Sequence, residues 1–229
     1  MGVKLAKKAV VSLTKQAPTT KSYVVGLGWD PVDNSQEMVQ VTRRKPGLAG
    51  LFGAIETVMT RASELHAVDI DCDAAVMLEN SHDRSKDELI YFGHKISFDG
   101  SIVHLGDNLT GRKDESIVKG CTNDKEQIEI NTEKLSSEFD TIWIGVNIYQ
   151  AIPRNQHFGR VNNSFIRIMD KNSGEEICRF DLDGSYENMT GVIMGKLYRD
   201  GNDWKFVALG NGFRADGINH LFSYRTKLK

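Results

Sequence analysis

Short runs of β-branched and apolar residues, each closed by a turn signal, recur along this chain of 229 residues, and that rhythm most restricts how it can fold. The clearest runs are Thr141 to Tyr149, Asn163 to Asp170, Glu175 to Asp181, Gly191 to Arg199 and Trp204 to Leu209. Between them, Lys171-Asn172-Ser173-Gly174 and Asp200-Gly201-Asn202-Asp203 read as hairpin turns. Earlier strands are expected at residues 9 to 14 and 22 to 28, around the breaker Gln16-Ala17-Pro18-Thr19. Shorter ones are expected at Leu89 to Phe92, Ser101 to Leu105 after the Asp99-Gly100 turn, Ser116 to Lys119 and residues 126 to 131. Residues 132 to 139 suggest a short helix, and Leu221 to Tyr224 a last edge strand. Ten or more such strands without an internal repeat or linker predict an all-β fold, a two-sheet β-sandwich forming a single domain over residues 1–229.

One stretch breaks the β pattern. Leu48, Leu51, Phe52, Ile55, Val58, Met59, Ala62 and Leu65 recur at three-and-four spacing behind Pro46, which predicts an amphipathic helix inserted at about 35–66. Gly47, Gly50 and Gly53 oppose it, each costing about 1 kcal/mol relative to Ala in a helix interior. The preceding Arg43-Arg44-Lys45 makes this insert a candidate for docking to a partner or a membrane surface, against the plainer reading of a helix packed on its own domain.

The densest acidic stretch is Asp69-Ile70-Asp71-Cys72-Asp73. On a strand the three aspartates share one face, roughly 7 Å apart, while Ile70, Cys72, Ala74 and Val76 fill the other. Mutual repulsion is tolerable in open solvent and better relieved by a cation. Gly106-Asp107-Asn108-Leu109-Thr110-Gly111, followed by Asp114-Glu115, is a glycine-bracketed turn able to return more oxygen ligands to the same place. Such a set suits a hard cation, Ca²⁺ before Mg²⁺. The alternative is an ordinary solvated strand face and an ordinary turn. Asp30, at a strand end before Pro31, either reaches the site or simply starts the turn.

Charge and cysteine content narrow the function. A formal net charge of −2 gives no global attraction to nucleic acid, so none is expected as a partner. Cys72, Cys121 and Cys178 form no C-x-x-C pair, which argues for free thiols in a reducing, cytoplasmic setting. No run approaches the ~20 apolar residues of a spanning helix.

Several separated motifs then carry a resemblance. Gly26-Leu27-Gly28-Trp29-Asp30, Asp69-Ile70-Asp71, the Gly106 to Gly111 turn with Asp114-Glu115, Phe158-Gly159-Arg160-Val161-Asn162-Asn163-Ser164-Phe165-Ile166-Arg167, Leu197-Tyr198-Arg199 and Trp204-Lys205-Phe206 occur in this order. The chain so resembles TerD-type tellurium resistance proteins, from about Val10 to Gly212. The resemblance implies a β-sandwich binding one or two Ca²⁺ ions through acidic loops, in bacterial systems resisting tellurite and general stress, with no established catalysis. Carried over by motif, the implied metal ligands are Asp69, Asp71, Asp107, Asn108, Asp114 and Glu115, with Asp30 a weaker one. Other proteins of the same stress system are the implied partners, with peripheral membrane association a further expectation. Two departures stand out. Arg112-Lys113 occupy a place usually rich in Gly and acids, which weakens the expected metal affinity, and Lys196 stands where an acid is usual. The alternative function is a metal-dependent phosphoester hydrolase with Asp107 or Glu115 as base and His104 assisting.

Overall fold

The computed structural model describes residues 2–31, 38–51, 53–61, 70–106, 124–182, 184 and 186–228. In chain order the strands are β1 (Val3–Lys4), β2 (Val10–Ser12), β3 (Ser22–Pro31), β4 (Met38–Arg44), β5 (Ile55–Arg61), β6 (Cys72–Glu79) and β7 (Glu88–Ile90). They continue with β8 (Ile102–His104), β9 (Glu126–Asn131), β10 (Thr141–Ile148), β11 (Val161–Asp170), β12 (Glu176–Asp181), β13 (Gly191–Asp200) and β14 (Asp203–Phe213). Short helices are α1 (Leu13–Gln16), α2 (Leu48–Leu51), α3 (Ala151–Arg154) and α4 (Ile218–Ser223).

Two six-stranded sheets face each other, ordered β1-β12-β11-β3-β9-β8 and β2-β14-β13-β10-β6-β7. All the named ladders are antiparallel except β1 with β12. Tyr23, Val25, Leu27, Ile128, Ile130, Ile166 and Ile168 from the first sheet meet Cys72, Ala74, Val76, Leu78, Ile142, Ile144 and Val146 from the second in one core. Each set is spaced two apart, as period-2 strands with one inward face require. Both expected hairpins form: Asp170 to Glu175 joins β11 to β12, and Gly201, at φ +61°, turns β13 into β14.

The second sheet is buried on its outward face as well. Ala75, Met77, Trp143, Ile193 and Leu209 are covered by Leu221 and Phe222 of α4. A Cβ on Gly145 would stand 3.1 Å from the Phe222 ring, so the missing side chain lets the helix lie close against β10. Leu221 to Tyr224, expected as an edge strand, is this covering helix and the turn after it. Charge holds it down. Arg225 donates to Glu79 at 2.8 Å, to the Phe222 carbonyl at 2.8 Å and to Asp87, while the Trp143 indole donates to Glu79 at 3.2 Å. Lys196 lies over the Trp143 ring at 4.7 Å, which accounts for a cation at that position.

The expected helix at 35–66 is corrected. β4 and β5 form an antiparallel two-stranded sheet from Met38↔Arg61 to Arg44↔Ile55, and among the described residues of this stretch only Leu48–Leu51, at its tip, is helical. Val39, Val41, Thr42, Thr57, Val58 and Thr60 are β-branched and favour strands, whereas Gly47 and Gly53 take φ of +75° and +78°. The opposed pairs match chemically: Arg43 Nε meets Glu56 at 3.1 Å and the Thr42 and Thr57 hydroxyls lie 3.4 Å apart. The apolar three-and-four spacing counted residues of the tip and of β5 as one face. Residues 132–139, also expected as a helix, form turns capped by Asn131, whose Oδ1 accepts the Glu133 and Lys134 amides.

Replacing Arg225 with Leu should lower stability by about 3 kcal/mol, because Glu79 and Asp87 keep their charge without its cation. Urea unfolding measures the loss. A change within error would mean that the C-terminal segment is held by apolar contact alone.

Candidate metal centre

Where β6 begins, three buried carboxylates act on the Cys72 thiol. Asp71 and Asp73 are 8% and 5% exposed, and Glu126 at the start of β9 is 2% exposed. Their position follows from strand geometry. β7 pairs only with Val76 to Leu78, so Ala74 lies beyond the end of that ladder and its backbone groups need other partners. Glu126 accepts the Ala74 amide at 2.6 Å, and His104 Nε2 lies 3.2 Å from the Ala74 carbonyl. His104 Nε2 is also 3.6 Å from Glu126. Next to Glu126, fully buried Asp124 accepts from Arg167 Nε at 2.8 Å and from Gln127 at 3.3 Å.

The expected alternation along 70–76 is met on its inward side, where Ile70, Cys72, Ala74 and Val76 all join the core. The outward side differs from the solvated row that the sequence suggested. Asp73 sits opposite Asn147 in the β6–β10 ladder, and the Asp71 carbonyl accepts the Tyr149 amide at 2.8 Å. The Cys72 thiol, itself wholly buried, is held well above its usual pKa first by burial and then by the nearby charges of Glu126, Asp71 and Asp73. Those charges therefore share one region of low dielectric.

Of the expected ligands, Asp71 is described at this place. Asp69, Asp107, Asn108, Asp114 and Glu115 lie outside the described residues, as do Arg112, Lys113 and the strand expected at Ser116 to Lys119. Asp30 is exposed at the end of β3, paired with Asn162 in the ladder to β11, and accepts the Asn163 side-chain amide at 2.9 Å. Among the described residues no three His, Cys, Asp or Glu side chains are grouped to hold a metal ion. The donor chemistry present still fits a hard cation, since it consists of carboxylates with one histidine at a backbone carbonyl and a thiol turned into the core.

Glu126 and Asp124 were not singled out in the sequence. The signal for Glu126 was there, because it stands in phase with Ile128 and Ile130 at a core position. Asp124 carries no such periodic mark.

With the fold and this acidic region in view, comparison with known proteins identifies the class. Two solved structures share the fold: one of a protein of unknown function, with a TM-score of 0.59, 17% identity and 86% and 92% of the two chains covered. The other, a Streptomyces coelicolor homologue of the telluride resistance protein TerD, has a TM-score of 0.55, 19% identity and 87% and 94% covered. The TerD domain model matches residues 1–224. The stress response protein SCP2 of Bacillus subtilis is 36% identical over 97% of this chain and 98% of its own. The tellurium resistance protein TerD of Serratia marcescens is 32% identical over 93% and 92%. The chain belongs to the TerD family.

Two outcomes follow for the site. Gly26→Ala should destabilise the protein by about 1–3 kcal/mol, because the new Cβ would overlap an Asp124 carboxylate pinned by Arg167, and a falling melting temperature would report it. In a Cys121→Ser variant, native protein should resist a thiol-labelling disulfide reagent at pH 8. Cys72 and Cys178 are buried, and burial with the Glu176 charge pushes Cys178 up to about 12. Prompt labelling of either would contradict their enclosure.

Proposed function

We propose that this chain is a calcium-binding, non-catalytic stress-response protein of the tellurium resistance type, acting in the cytoplasm as a metal-dependent interaction module. The observation that carries the reading is the burial of Asp71 and Glu126 beside the first residues of β6, a gathering of negative charge that a hard cation would favour. Asp71 would be a ligand, and Asp69, Asp107, Asn108, Asp114 and Glu115 would complete the shell. The names of the relatives, resistance and stress proteins, support the physiological part. His104, 2% exposed and against the Ala74 carbonyl, faces the interior, so no observation favours its use as a hydrolytic acid or base.

The mechanism is electrostatic. Without metal, clustered carboxylates push apart the segments that carry them; with metal, repulsion becomes coordination. At free calcium one hundred times the dissociation constant this adds about 2.7 kcal/mol to stability. The β4–β5 hairpin supplies the second contact, to an anionic membrane or to another protein of the stress system. It exposes Leu48, Leu51, Ile55 and Met59 at and near its tip beside Arg43, Arg44 and Lys45.

Calorimetric titration of chelator-stripped protein with Ca²⁺ should show saturable binding to one or two sites and a raised melting temperature. Asp71→Asn should weaken that binding by about tenfold or more. Unchanged affinity in this variant would remove Asp71 from the site, and no binding at millimolar calcium would end the calcium reading. Sedimentation with phosphatidylserine vesicles tests the hairpin. Leu48→Ser with Leu51→Ser should reduce the bound fraction, and an unchanged fraction would exclude the tip from lipid contact.

A further inference from the structure

A cavity of about 250 Å³ opens where the outward face of β10 runs out from under the C-terminal segment. Its floor is made by Asp73 and Asn147, paired in register across β6 and β10. Its walls are aromatic: Tyr91, Phe92 and Tyr149 line it, with Tyr91 against Phe92 at 5.2 Å and Phe92 against Tyr149 at 6.4 Å, both edge to face. Ile152 and Ile218 add apolar surface, and Asp216 stands at the exposed rim. Among the described residues no lysine, arginine or histidine lines it.

We propose that this cavity binds a small alkylammonium ligand, with its charged head at Asp73 and Asn147 and its alkyl chain along the aromatic wall. Three independent features choose that chemistry. Among the described residues the lining carries two carboxylates and no cationic side chain, which favours a positively charged occupant. Aromatic faces attract ammonium groups and tolerate the methylenes attached to them. Asn147 is only 4% exposed, yet its Oδ1 has no hydrogen-bond partner among the described residues. A buried amide oxygen without a donor is costly, and an ammonium has three N–H groups to give. The volume lies just below the range of ordinary ligand pockets, which restricts the occupant to a short chain.

This site goes beyond the calcium reading and does not depend on it. Asp30 and Asp71, the expected metal ligands among the described residues, do not line the cavity, although Asp73 follows Asp71 by two residues.

The test is a ¹H–¹⁵N NMR titration of calcium-free protein with n-pentylammonium chloride, matched against 1-pentanol, which keeps the shape and loses the charge. The ammonium should give saturable shifts at the Asn147 side-chain amide and the Gly217 backbone amide, with the alcohol binding about tenfold more weakly or worse. Asp73→Asn should weaken the ammonium by a similar factor. Tyr149→Ala, at a wall residue that is 41% exposed, should weaken it in a protein whose spectrum otherwise shows the native fold. Equal affinity for ammonium and alcohol, or indifference to both substitutions, would overturn the proposal. So would calcium displacing the ammonium competitively while Asp73→Asn abolishes calcium binding, because the cavity would then belong to the metal. Failure of calcium to bind at all would leave the ammonium shifts intact, which separates the two readings.

Discussion

Strand β6 is buried along its whole length on both faces, and most of what is distinctive in this structure answers that constraint. A strand in such a place is expected to be apolar throughout, yet this one carries Asp73 and Glu79 and begins just after Asp71. Charges in a low-dielectric interior need compensation. At one end Arg225 and the Trp143 indole supply it to Glu79; at the other, Glu126 takes the Ala74 amide that β7 is too short to reach. The cover over the outward face, the acidic region and the cavity beside Asn147 are all arranged about the same eight residues.

Much of this order was legible from residue spacing. The sandwich, its hairpins and the inward set Ile70, Cys72, Ala74 and Val76 follow from period-2 alternation and turn chemistry, which are local. The face opposite was misread because alternation separates two faces without saying what covers each. Asp73, Ala75, Met77 and Glu79 look like a half-solvated row until α4, some 140 residues further on, is seen to lie on most of it. Glu126 shows the same limit from the other side: its phase with Ile128 and Ile130 marks a core position, but its partner, the Ala74 amide, is 52 residues away in sequence.

The β4–β5 hairpin shows how a periodic pattern can mislead. Leu48 and Leu51 come from the tip, Ile55, Val58 and Met59 from the returning strand, and together they imitate one helical stripe. Local propensity held the better information. Two glycines in left-handed conformation and a preponderance of valine and threonine are incompatible with a long helix, and their summed preference outweighed the spacing. Of the residues that the motif proposes as ligands, Asp71 lies buried just before β6 and Asp30 lies at the surface, accepting from Asn163.

The C-terminal clamp also bears on how the chain is made. Synthesis delivers β6 and β10 long before residues 218–225, and β2 must wait for β14, β1 for β12. The outward surface around Met77, Trp143 and Ile193 is therefore sticky and uncovered while the ribosome is still working, with Glu79 lacking its cation. A nascent chain of this kind can assemble its hairpins as they emerge, but it closes only after release of the last helix, and until then it is a natural client for chaperones.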